Sequence, residues 1–202
     1  SGRPNGFSAG LDIVNIATGG ESKATEFWNL YYEALQVMIR FSKPFVCAIT
    51  GYAPAGATIL ALCADYRIMA NGSKHVVGMH EFKMSMKVPE LLAQIYAYHM
   101  GEKQAWEAIQ LMKLYTSDEA VQVGLVNESV PSENVLERSE VFLKQLLKIH
   151  LPVFKETKYA LRKNLLKLVD RDFTDLVKND VKHLSEPFTQ EVIQKFMNNL
   201  KK

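Results

Sequence analysis

One long apolar run constrains the fold of this chain more than any other feature. Residues 44–64 carry no charge, and about 20 apolar residues in a row can span a bilayer as a helix. Three residues that break regular structure interrupt the run: Gly51, Pro54 and Gly56. Because glycine and proline end helices and strands, the run predicts a buried strand over 45–50 and a short helix over 56–64. A membrane helix is the poorer interpretation.

The start of this short helix is a candidate site for negative charge. A backbone N–H in the first turn of a helix has no partner within the helix and lies at the positive end of its dipole. Gly56 occupies that position, and the lack of a side chain lets a ligand approach the backbone. The spacing of Gly51 and Thr58 also matches a nucleotide phosphate loop, but Ala57 stands where that loop needs lysine. We therefore expect half of an oxyanion hole and no nucleotide hydrolysis.

Composition limits the partners and the domain count. The chain has 202 residues, enough for one domain with a core and appended helices. Its 24 lysines and arginines nearly balance 22 acidic residues, and no basic stripe is interleaved with aromatics, so we expect neither nucleic acid nor a membrane as partner. Cys47 and Cys63 lack metal-type spacing. They predict reduced core thiols and no metal site.

Hydrophobic periodicity predicts the remaining elements. A turn is expected at Pro4-Asn5-Gly6. Helices are predicted over 23–41, 88–100, 102–115 and from 117 to about 124, and strands over 65–70, 75–79 and 125–130. The strands over 65–70 and 75–79 are expected to be joined by a turn at Asn71-Gly72.

Beyond Pro131 the sequence changes to long amphipathic helices with strongly apolar faces. We therefore divide the chain into a core over 1–130 and a helical region over 131–202. The apolar faces either pack on their own domain or form a subunit interface, and both interpretations stay open.

Two separated segments resemble signatures of a known superfamily. Phe7-Ser8-Ala9-Gly10-Leu11-Asp12 and Gly51-Tyr52-Ala53-Pro54-Ala55-Gly56 are similar to the signature segments of the crotonase (enoyl-CoA hydratase/isomerase) superfamily. Cys63-Ala64-Asp65-Tyr66-Arg67-Ile68-Met69-Ala70 is similar to its mitochondrial isomerase branch. The likeness extends over essentially the whole chain.

The resemblance implies an α/β fold. Members form a spiral of β-β-α turns with two nearly perpendicular sheets, followed by a C-terminal helical region that assembles trimers, sometimes paired into hexamers. Members also carry several tens of residues before the position of Ser1, so we expect this chain to lack the N-terminal part of the spiral.

The same resemblance implies site residues. The family's oxyanion hole maps onto the backbone N–H groups of Ala9 and Gly56. The stretch that lines the thioester and the coenzyme A moiety maps onto Ser8, Gly10, Leu11 and Asp12. Near the C-terminus, Lys201 is a weak candidate for a phosphate contact.

The catalytic acids of the superfamily distinguish its reactions. Hydratases hold a water between two carboxylates, and the first of those positions falls on Ile59 here, the second on Glu81. A single carboxylate facing Ile59 can carry a proton but cannot easily position water. Burial is expected to raise the pKa of Glu81 toward neutrality. His80, where the isomerase branch has asparagine, contacts the substrate or tunes Glu81, or else only packs.

The implied function is isomerisation of 3-enoyl-CoA to trans-2-enoyl-CoA in the β-oxidation of unsaturated fatty acids. The alternatives are another crotonase activity, such as hydration, dienoyl-CoA isomerisation or thioester hydrolysis, and a silent acyl-CoA-binding assembly module. The acyl-CoA thioester is the substrate and no cofactor is expected. A homotrimer in the mitochondrial matrix is implied, with the peroxisome as the alternative location.

Overall fold

The computed structural model describes residues 6–200 of the chain. Within that range the backbone forms two small sheets of three strands each, surrounded by helices. The strands are β1 (Val46–Ile49), β2 (Ala53–Pro54), β3 (Tyr66–Ala70), β4 (Val76–Gly78), β5 (Tyr115–Thr116) and β6 (Glu128–Val130). The turn predicted at Pro4-Asn5-Gly6 lies outside the described residues apart from Gly6, and so does Lys201.

Eleven α-helices accompany these strands in the described part of the chain. They are α1 (Ile13–Thr18), α2 (Gly20–Arg40), α3 (Gly56–Leu62), α4 (Glu90–Met100), α5 (Glu102–Gln110), α6 (Ser117–Gln122), α7 (Val135–Leu146), α8 (Leu151–Leu161), α9 (Lys163–Val169), α10 (Thr174–Leu184) and α11 (Pro187–Leu200). Two 3-10 helices, Glu81–Met84 and Ser132–Asn134, complete the set.

The first sheet is parallel, with β3 between β1 and β6. Its register aligns Val46 with Tyr66 and Ile49 with Met69. A parallel pair needs a crossover connection, and α3 is the helix in the crossover from β1 to β3. The break in the apolar run therefore separates strand from helix, as predicted.

The second sheet pairs β2 with β4 in parallel and β4 with β5 antiparallel. The strands predicted over 65–70 and 75–79 both exist, but β3 and β4 lie in different sheets. The N–H of Asn71 donates to the carbonyl of Val130 (2.7 Å), which holds the chain on the first sheet up to that residue. The chain therefore passes from the first sheet to the second at Asn71-Gly72. Periodicity predicted both strands, but it does not indicate which strands they pair with.

Two helices differ from the predictions. The helix expected over 102–115 ends at Gln110, since Met112 adopts a φ of 51° and Tyr115 joins β5. The helix α1 was not predicted, and it begins because the Asp12 carboxylate accepts a hydrogen bond from the N–H of Asn15 (3.1 Å).

The larger of two hydrophobic cores connects the first and last thirds of the described chain. The helix α3 lies inside it almost completely buried, and α2 contributes its apolar face through Trp28, Tyr32, Leu35 and Ile39. Helices α9 and α10 pack against α2, and Leu165, Val169 and Val177 belong to the same core. At least part of the C-terminal region therefore packs on its own chain.

Other apolar side chains of that region remain exposed in the single chain. They lie on α7, on α8 and on the connection between them: Leu136, Leu147, Ile149, Val153 and Leu161. These exposed residues are compatible with the second interpretation, in which the apolar faces form a subunit interface.

In residues 6–200, every helix falls short of the length or apolar character needed to cross a bilayer.

Candidate active site

The N-terminus of α3 is held in a strained turn. Ala55, just before the helix, has a φ of 55° and a ψ of −128°, a conformation that costs about 1–3 kcal/mol for a residue other than glycine. The N–H of Ala55 donates to the carbonyl of Gly78 (2.7 Å). The hydroxyl of Tyr31 donates to the carbonyl of Gly56 (3.1 Å) from the buried side of α2. These two bonds hold Ala55 and Gly56, the two residues at the start of α3.

Thr58 ties this turn to the strand that leads to Glu81. Its buried hydroxyl donates to the carbonyl of Ala53 (2.7 Å) and accepts the N–H of Gly78 (2.8 Å). The Thr58 side chain therefore holds the loop before α3 to the end of β4. This strand ends at Gly78, three residues before Glu81.

The segment after Gly6 runs alongside the same turn. The N–H groups of Phe7 and Ser8 both donate to the carbonyl of Tyr52 (3.1 Å each). A Cβ built on Gly10 would lie 3.7 Å from the nitrogen of Gly56, and one built on Gly56 would lie 2.8 Å from the side chain of Leu11. Both signature segments therefore meet. The close approach of Leu11 explains glycine at position 56, and a φ of 90° explains glycine at position 10.

Two backbone amides in these neighbouring segments are free. Within the part of the chain that is described, neither the N–H of Ala9 nor that of Gly56 donates a hydrogen bond. Preorganised amide donors of this kind stabilise an oxygen that gains negative charge. The arrangement can hold the oxygen of a carbonyl group as it becomes an enolate.

A cavity of about 80 Å³ lies beside the first turn of α3. Its wall is mainly apolar, and it is lined by Leu11, Ile13, Trp28, Gly56, His80, Glu81, Met84, Met86, Lys87, Pro89 and Leu92. Glu81 is the only carboxylate among these lining residues. It begins the 3-10 helix Glu81–Met84, which follows β4 closely.

The carboxyl group of Glu81 is suited to proton transfer. Burial raises the pKa of Glu81 to about 7, because the charged form loses solvation. Its Oε2 is buried and has no hydrogen-bond partner in residues 6–200. A carboxyl with a pKa near the working pH can both accept and return a proton.

Two further polar atoms of the cavity wall are unpaired. Nδ1 of His80 and Nε1 of Trp28 are buried and lack hydrogen-bond partners among the described residues. Burial lowers the pKa of His80, and the charge of Lys83 lowers it further. The His80 ring is therefore neutral at pH 7. Few buried polar groups stay unpaired in folded proteins, and three of them belong to residues that line this one cavity.

The structure brings some of the predicted site residues together and places others elsewhere. Leu11, Gly56, His80 and Glu81 line the cavity, while Ala9 and Gly10 lie in the segment beside it. Ser8 accepts the N–H of Gly10 through its hydroxyl (3.2 Å).

Two predicted residues have other surroundings. Asp12 caps α1 on the exposed surface, where its hydrogen bonds to Asn15 lower the pKa of its carboxyl. Ile59 is fully buried in the core and does not belong to the cavity lining among residues 6–200. The roles of both in substrate binding stay predictions.

Sequence reasoning missed three residues of the site: Trp28, Tyr31 and Thr58. Trp28 and Tyr31 lie on the apolar face of α2, and the helical spacing of that face was the available signal. The spacing could not show that the hydroxyl of Tyr31 bonds to Gly56 or that Trp28 lines the cavity. Thr58 was noted for its phosphate-loop spacing, which does not indicate its hydrogen bonds to Ala53 and Gly78.

The opposite end of α3 enters a buried basic cluster, defined as Asp65, Arg67, His99, Lys158 and Arg162. Arg162 donates to the carbonyls of Cys63 (2.9 Å) and Ala64 (2.8 Å), and Arg67 also donates to that of Ala64 (3.0 Å). Cations at a helix C-terminus match the negative end of its dipole. The cluster therefore anchors the end of α3 that lies away from the cavity.

Asp65 is the carboxylate of this basic cluster. It lies 2.8 Å from Nζ of Lys158 and 3.1 Å from Nη2 of Arg162, and it accepts the N–H of Phe45 (2.8 Å). Nε2 of His99 lies 2.8 Å from the carbonyl of Leu62, and burial lowers the pKa of His99 to about 3. His99 is thus neutral, and these contacts pair the polar groups of the cluster with one another and with backbone carbonyls.

Across residues 6–200, the structure shows no group of three or more side chains that could hold a metal ion.

Comparison with known proteins gives matches to one family, some of them over nearly the whole chain. The family model for enoyl-CoA hydratase/isomerase matches residues 1–202. Mitochondrial enoyl-CoA delta isomerase 1 of Mus musculus is 30% identical over 202 residues, which cover 98% of this chain and 68% of that protein. A crotonyl-CoA hydratase of Syntrophomonas wolfei is 29% identical over 136 residues, 64% of this chain and 49% of that protein.

A solved structure extends the likeness to three dimensions. The crystal structure of human mitochondrial delta3-delta2-enoyl-CoA isomerase superimposes with a TM-score of 0.94 at 29% identity. The match covers 100% of this chain and 78% of the human one.

Proposed function

Because this chain belongs to the enoyl-CoA hydratase/isomerase family, we propose that it is an enoyl-CoA isomerase that converts 3-enoyl-CoA to trans-2-enoyl-CoA. The isomerases among its relatives match nearly the whole chain, whereas the crotonyl-CoA hydratase matches a shorter part. The family acts on acyl-CoA thioesters, so the substrate class follows from membership. The reaction belongs to the breakdown of unsaturated fatty acids.

The proposed mechanism uses three groups of the site. The N–H groups of Ala9 and Gly56 bind the thioester oxygen and stabilise the negative charge of the enolate. Glu81, as carboxylate, removes a proton from C2, and the electron pair of that C–H bond forms a dienolate in which the double bond between C3 and C4 remains. The carboxyl of Glu81 then gives the proton to C4, while the enolate returns to the thioester carbonyl and the double bond forms between C2 and C3. Glu81 both removes and returns the proton, so the proposed reaction needs no cofactor.

The number of carboxylates among the residues that line the cavity favours isomerisation over hydration. Hydration requires a second group that positions water, and the corresponding position holds Ile59, which is fully buried. Glu81 is the only carboxylate among the residues that line the cavity. A single carboxyl with a pKa of about 7 can move a proton between two carbons.

One observation carries the proposal: Glu81, whose Oε2 is buried and unpaired among the described residues, lines the same cavity as Gly56 at the N-terminus of α3. To test it, the purified full-length protein is incubated separately with 3-hexenoyl-CoA and trans-2-hexenoyl-CoA. We expect new absorbance of a conjugated enoyl thioester from the first substrate. No loss of that absorbance is expected from the second.

The result that would overturn the isomerase is equally specific. Absence of conjugation from 3-hexenoyl-CoA, at enzyme concentrations that saturate with hexanoyl-CoA, points to a silent binding module. Loss of absorbance from trans-2-hexenoyl-CoA points to hydration, and release of free coenzyme A points to a thioesterase.

We also propose that the chain forms a homotrimer through its 131–202 region. The exposed apolar residues of α7, α8 and their connection support this, since a monomer rarely exposes so many neighbouring apolar side chains. Light scattering after size-exclusion chromatography measures the mass directly, and a mass of one chain would contradict the proposal.

Finally, we propose a mitochondrial location. The relatives from mouse, rat and human are named as mitochondrial proteins. Fractionation of cells that express the complete reading frame, with matrix and peroxisomal markers, tests the location.

A further inference from the structure

A wall segment, residues 85–89, runs from the 3-10 helix that begins at Glu81 to the start of α4. It forms neither helix nor strand. Three of its residues, Met86, Lys87 and Pro89, line the active-site cavity. Segments without regular structure are the more mobile parts of a fold. The geometry of this side of the cavity therefore depends on contacts that hold the wall segment from outside.

Helix α10 contacts the wall segment at Lys87 through two polar bonds. The backbone N–H of Lys87 donates to Nε2 of His183 (3.1 Å), and Nζ of Lys87 lies 2.9 Å from Oδ1 of Asp180. Asp180 and His183 are three residues apart, so they lie on the same face of the helix. One turn of α10 therefore binds both the main chain and the side chain of Lys87.

The two side chains of α10 are themselves held in place. Asp180 is buried and accepts the hydroxyl of Tyr32, a core residue of α2. A backbone N–H can only donate, so Nε2 of His183 is the accepting nitrogen and Nδ1 carries the ring proton. That Nδ1 lies 3.1 Å from Oε2 of Glu186. A helix that packs on α2 therefore presents a carboxylate and an oriented imidazole to Lys87.

The position of Lys87 is coupled to that of Glu81 through the main chain. The N–H of Met86, the residue before Lys87, donates to the carbonyl of Glu81 (3.1 Å). Oε2 of Glu81 has no hydrogen-bond partner among residues 6–200, so no described group holds that oxygen directly. Its position relative to the amide of Gly56 therefore follows from the backbone of this turn.

We propose that Asp180 and His183 are positioning residues: by holding Lys87, they fix the turn that places the carboxyl of Glu81 for proton transfer. The catalytic part of this inference rests on the proposed function, whereas the contact between α10 and the wall segment does not. A displacement of about 1 Å in a reacting group can reduce the rate by about 100-fold. Loss of the contact should therefore lower the kcat of protein that is still folded.

Two variants of His183 separate its hydrogen bond from the rest of the side chain. His183→Phe keeps a ring without an acceptor, so kcat with 3-hexenoyl-CoA should fall by about 10- to 100-fold. The dissociation constant of hexanoyl-CoA, measured by calorimetry, should stay within about threefold, because the positioning acts on the proton transfer. His183→Gln places an amide oxygen near the position of Nε2, and it should restore most of the kcat.

Two aspartates of α10 provide a matched pair of variants. Asp180→Asn keeps an oxygen that can accept the Tyr32 hydroxyl but loses the charge that pairs with Lys87, so kcat should fall by about tenfold or more. Asp175→Asn changes an exposed carboxylate that lies 3.7 Å from Nζ of Lys178, and it should keep the wild-type kcat. If one of His183→Phe and Asp180→Asn does not fold, as judged by circular dichroism, the other decides.

Hydrogen exchange measures the contact without any reaction. In peptides that cover residues 81–89, the backbone amides should exchange about tenfold faster or more in His183→Phe than in the wild type. Asp175→Asn should exchange like the wild type over the same residues. Mass spectrometry of the exchanged protein resolves these peptides from those of α4.

The outcomes separate this inference from the isomerase function. Wild-type kcat in folded His183→Phe or Asp180→Asn, even with reduced stability, overturns the positioning role and means that the contact is only structural. A kcat of His183→Gln as low as that of His183→Phe also overturns it. If the wild-type protein does not isomerise 3-hexenoyl-CoA, the proposed function is overturned. Faster exchange over 81–89 in His183→Phe then still supports the hold of α10 on this turn, and unchanged exchange overturns it.

Discussion

The two ends of α3 satisfy their polar groups in opposite ways. At the N-terminal end, the amides of Ala9 and Gly56 and polar atoms of Glu81 and two other residues are unpaired within the described residues. At the C-terminal end, the basic cluster pairs with backbone carbonyls and with Asp65. The helix α3 thus has unpaired polar groups around its N-terminal end and paired polar groups around its C-terminal end.

The difference separates function from stability. Unpaired buried groups cost free energy of folding and persist where a ligand completes them. A paired buried cluster instead holds its element in place, and removal of one partner leaves an uncompensated charge. Changes at the cavity end should therefore reduce activity more than stability, and changes at the cluster end should do the reverse.

The largest effect is expected at the cavity end, from Glu81→Gln. The amide cannot accept and return the proton, so kcat should fall by about 10²- to 10⁴-fold. Binding of hexanoyl-CoA should survive, because the amides of Ala9 and Gly56 are unchanged. Kinetics with 3-hexenoyl-CoA and calorimetry with hexanoyl-CoA measure the two effects.

Glu102→Gln is the control for this change, since Glu102 lies exposed in the first turn of α5. It should retain the wild-type kcat. A Glu81→Gln protein with undiminished turnover would remove Glu81 from the mechanism.

At the cluster end, Asp65→Asn should give the largest loss of stability. It removes the carboxylate that pairs with Lys158 and Arg162, so the free energy of unfolding should fall by about 3–5 kcal/mol. Urea denaturation measures it. The kcat of the protein that remains folded should change far less.

Asp170→Asn provides the comparison, because Asp170 pairs with Arg40 on the surface (2.8 Å). A change of about 1 kcal/mol or less is expected there. Equal losses from Asp65→Asn and Asp170→Asn would mean that burial of the cluster does not matter.

Gly56→Ala should disturb the contact between the two signature segments. The new Cβ would lie 2.8 Å from Cγ of Leu11, so the segment that carries the amide of Ala9 must shift. A displacement of about 1 Å can reduce the rate by about 100-fold, and overpacking costs about 1–3 kcal/mol. Both kcat/KM and unfolding should be measured.

Gly20→Ala is the control for Gly56→Ala. Its Cβ would meet no atom within 4 Å, although Gly20 has a φ of 81°. It should lower stability through backbone strain without lowering kcat/KM. Unchanged activity in Gly56→Ala would refute the close contact with Leu11.

The pH dependence tests the environment of Glu81. Its folded-state pKa of about 7 lies above the ordinary value of 4.5, and the carboxylate is the reactive form. Below pH 7, kcat should fall about tenfold per pH unit, and above it should level off. A plateau that extends to pH 5 would contradict the raised pKa.

The same shift affects stability with a definite sign. Ionisation is harder in the folded protein than in the unfolded chain, so the free energy of unfolding decreases as pH rises from about 4.5 to about 7. In Glu81→Gln this part of the pH dependence should disappear, which urea denaturation at several pH values can detect.

The smallest effect is expected from Tyr31→Phe. It removes the hydrogen bond from the Tyr31 hydroxyl to the carbonyl of Gly56 (3.1 Å), worth about 0.5–1.5 kcal/mol of stability. Tyr98→Phe, which removes a bond to the carbonyl of Leu161 on the surface, should change stability by about 0.5 kcal/mol or less. If both variants behave alike, burial of the Tyr31 bond adds nothing.

Much of the fold could be predicted because its signals are local. The break at Gly51 and Pro54 separated β1 from α3, and the pattern over 23–41 marked α2, observed from Gly20 to Arg40. Strand partners were not predictable in the same way. Nothing in the residues around Asn71-Gly72 indicates that β3 and β4 belong to different sheets, because the pairing of β3 with β6 and of β4 with β2 decides it.

The candidate site, like the fold, could be predicted only where its signals are local in the sequence. Motifs in sequence order indicated Gly56, Leu11, His80 and Glu81, which line one cavity. Trp28 and the basic cluster were not indicated, since an aromatic on an apolar helix face and scattered cations have no distinctive spacing. Their roles depend on which polar atoms find partners, and partners come from distant parts of the chain.

By itself, the sequence determined the family of this protein, the position of its central helix and the carboxylate proposed to carry the proton, because each follows from residue types at short spacing. The tertiary structure decided which groups remain unpaired and how far the pKa of Glu81 rises. Both depend on burial, which arises only when segments far apart in the chain pack together and exclude water.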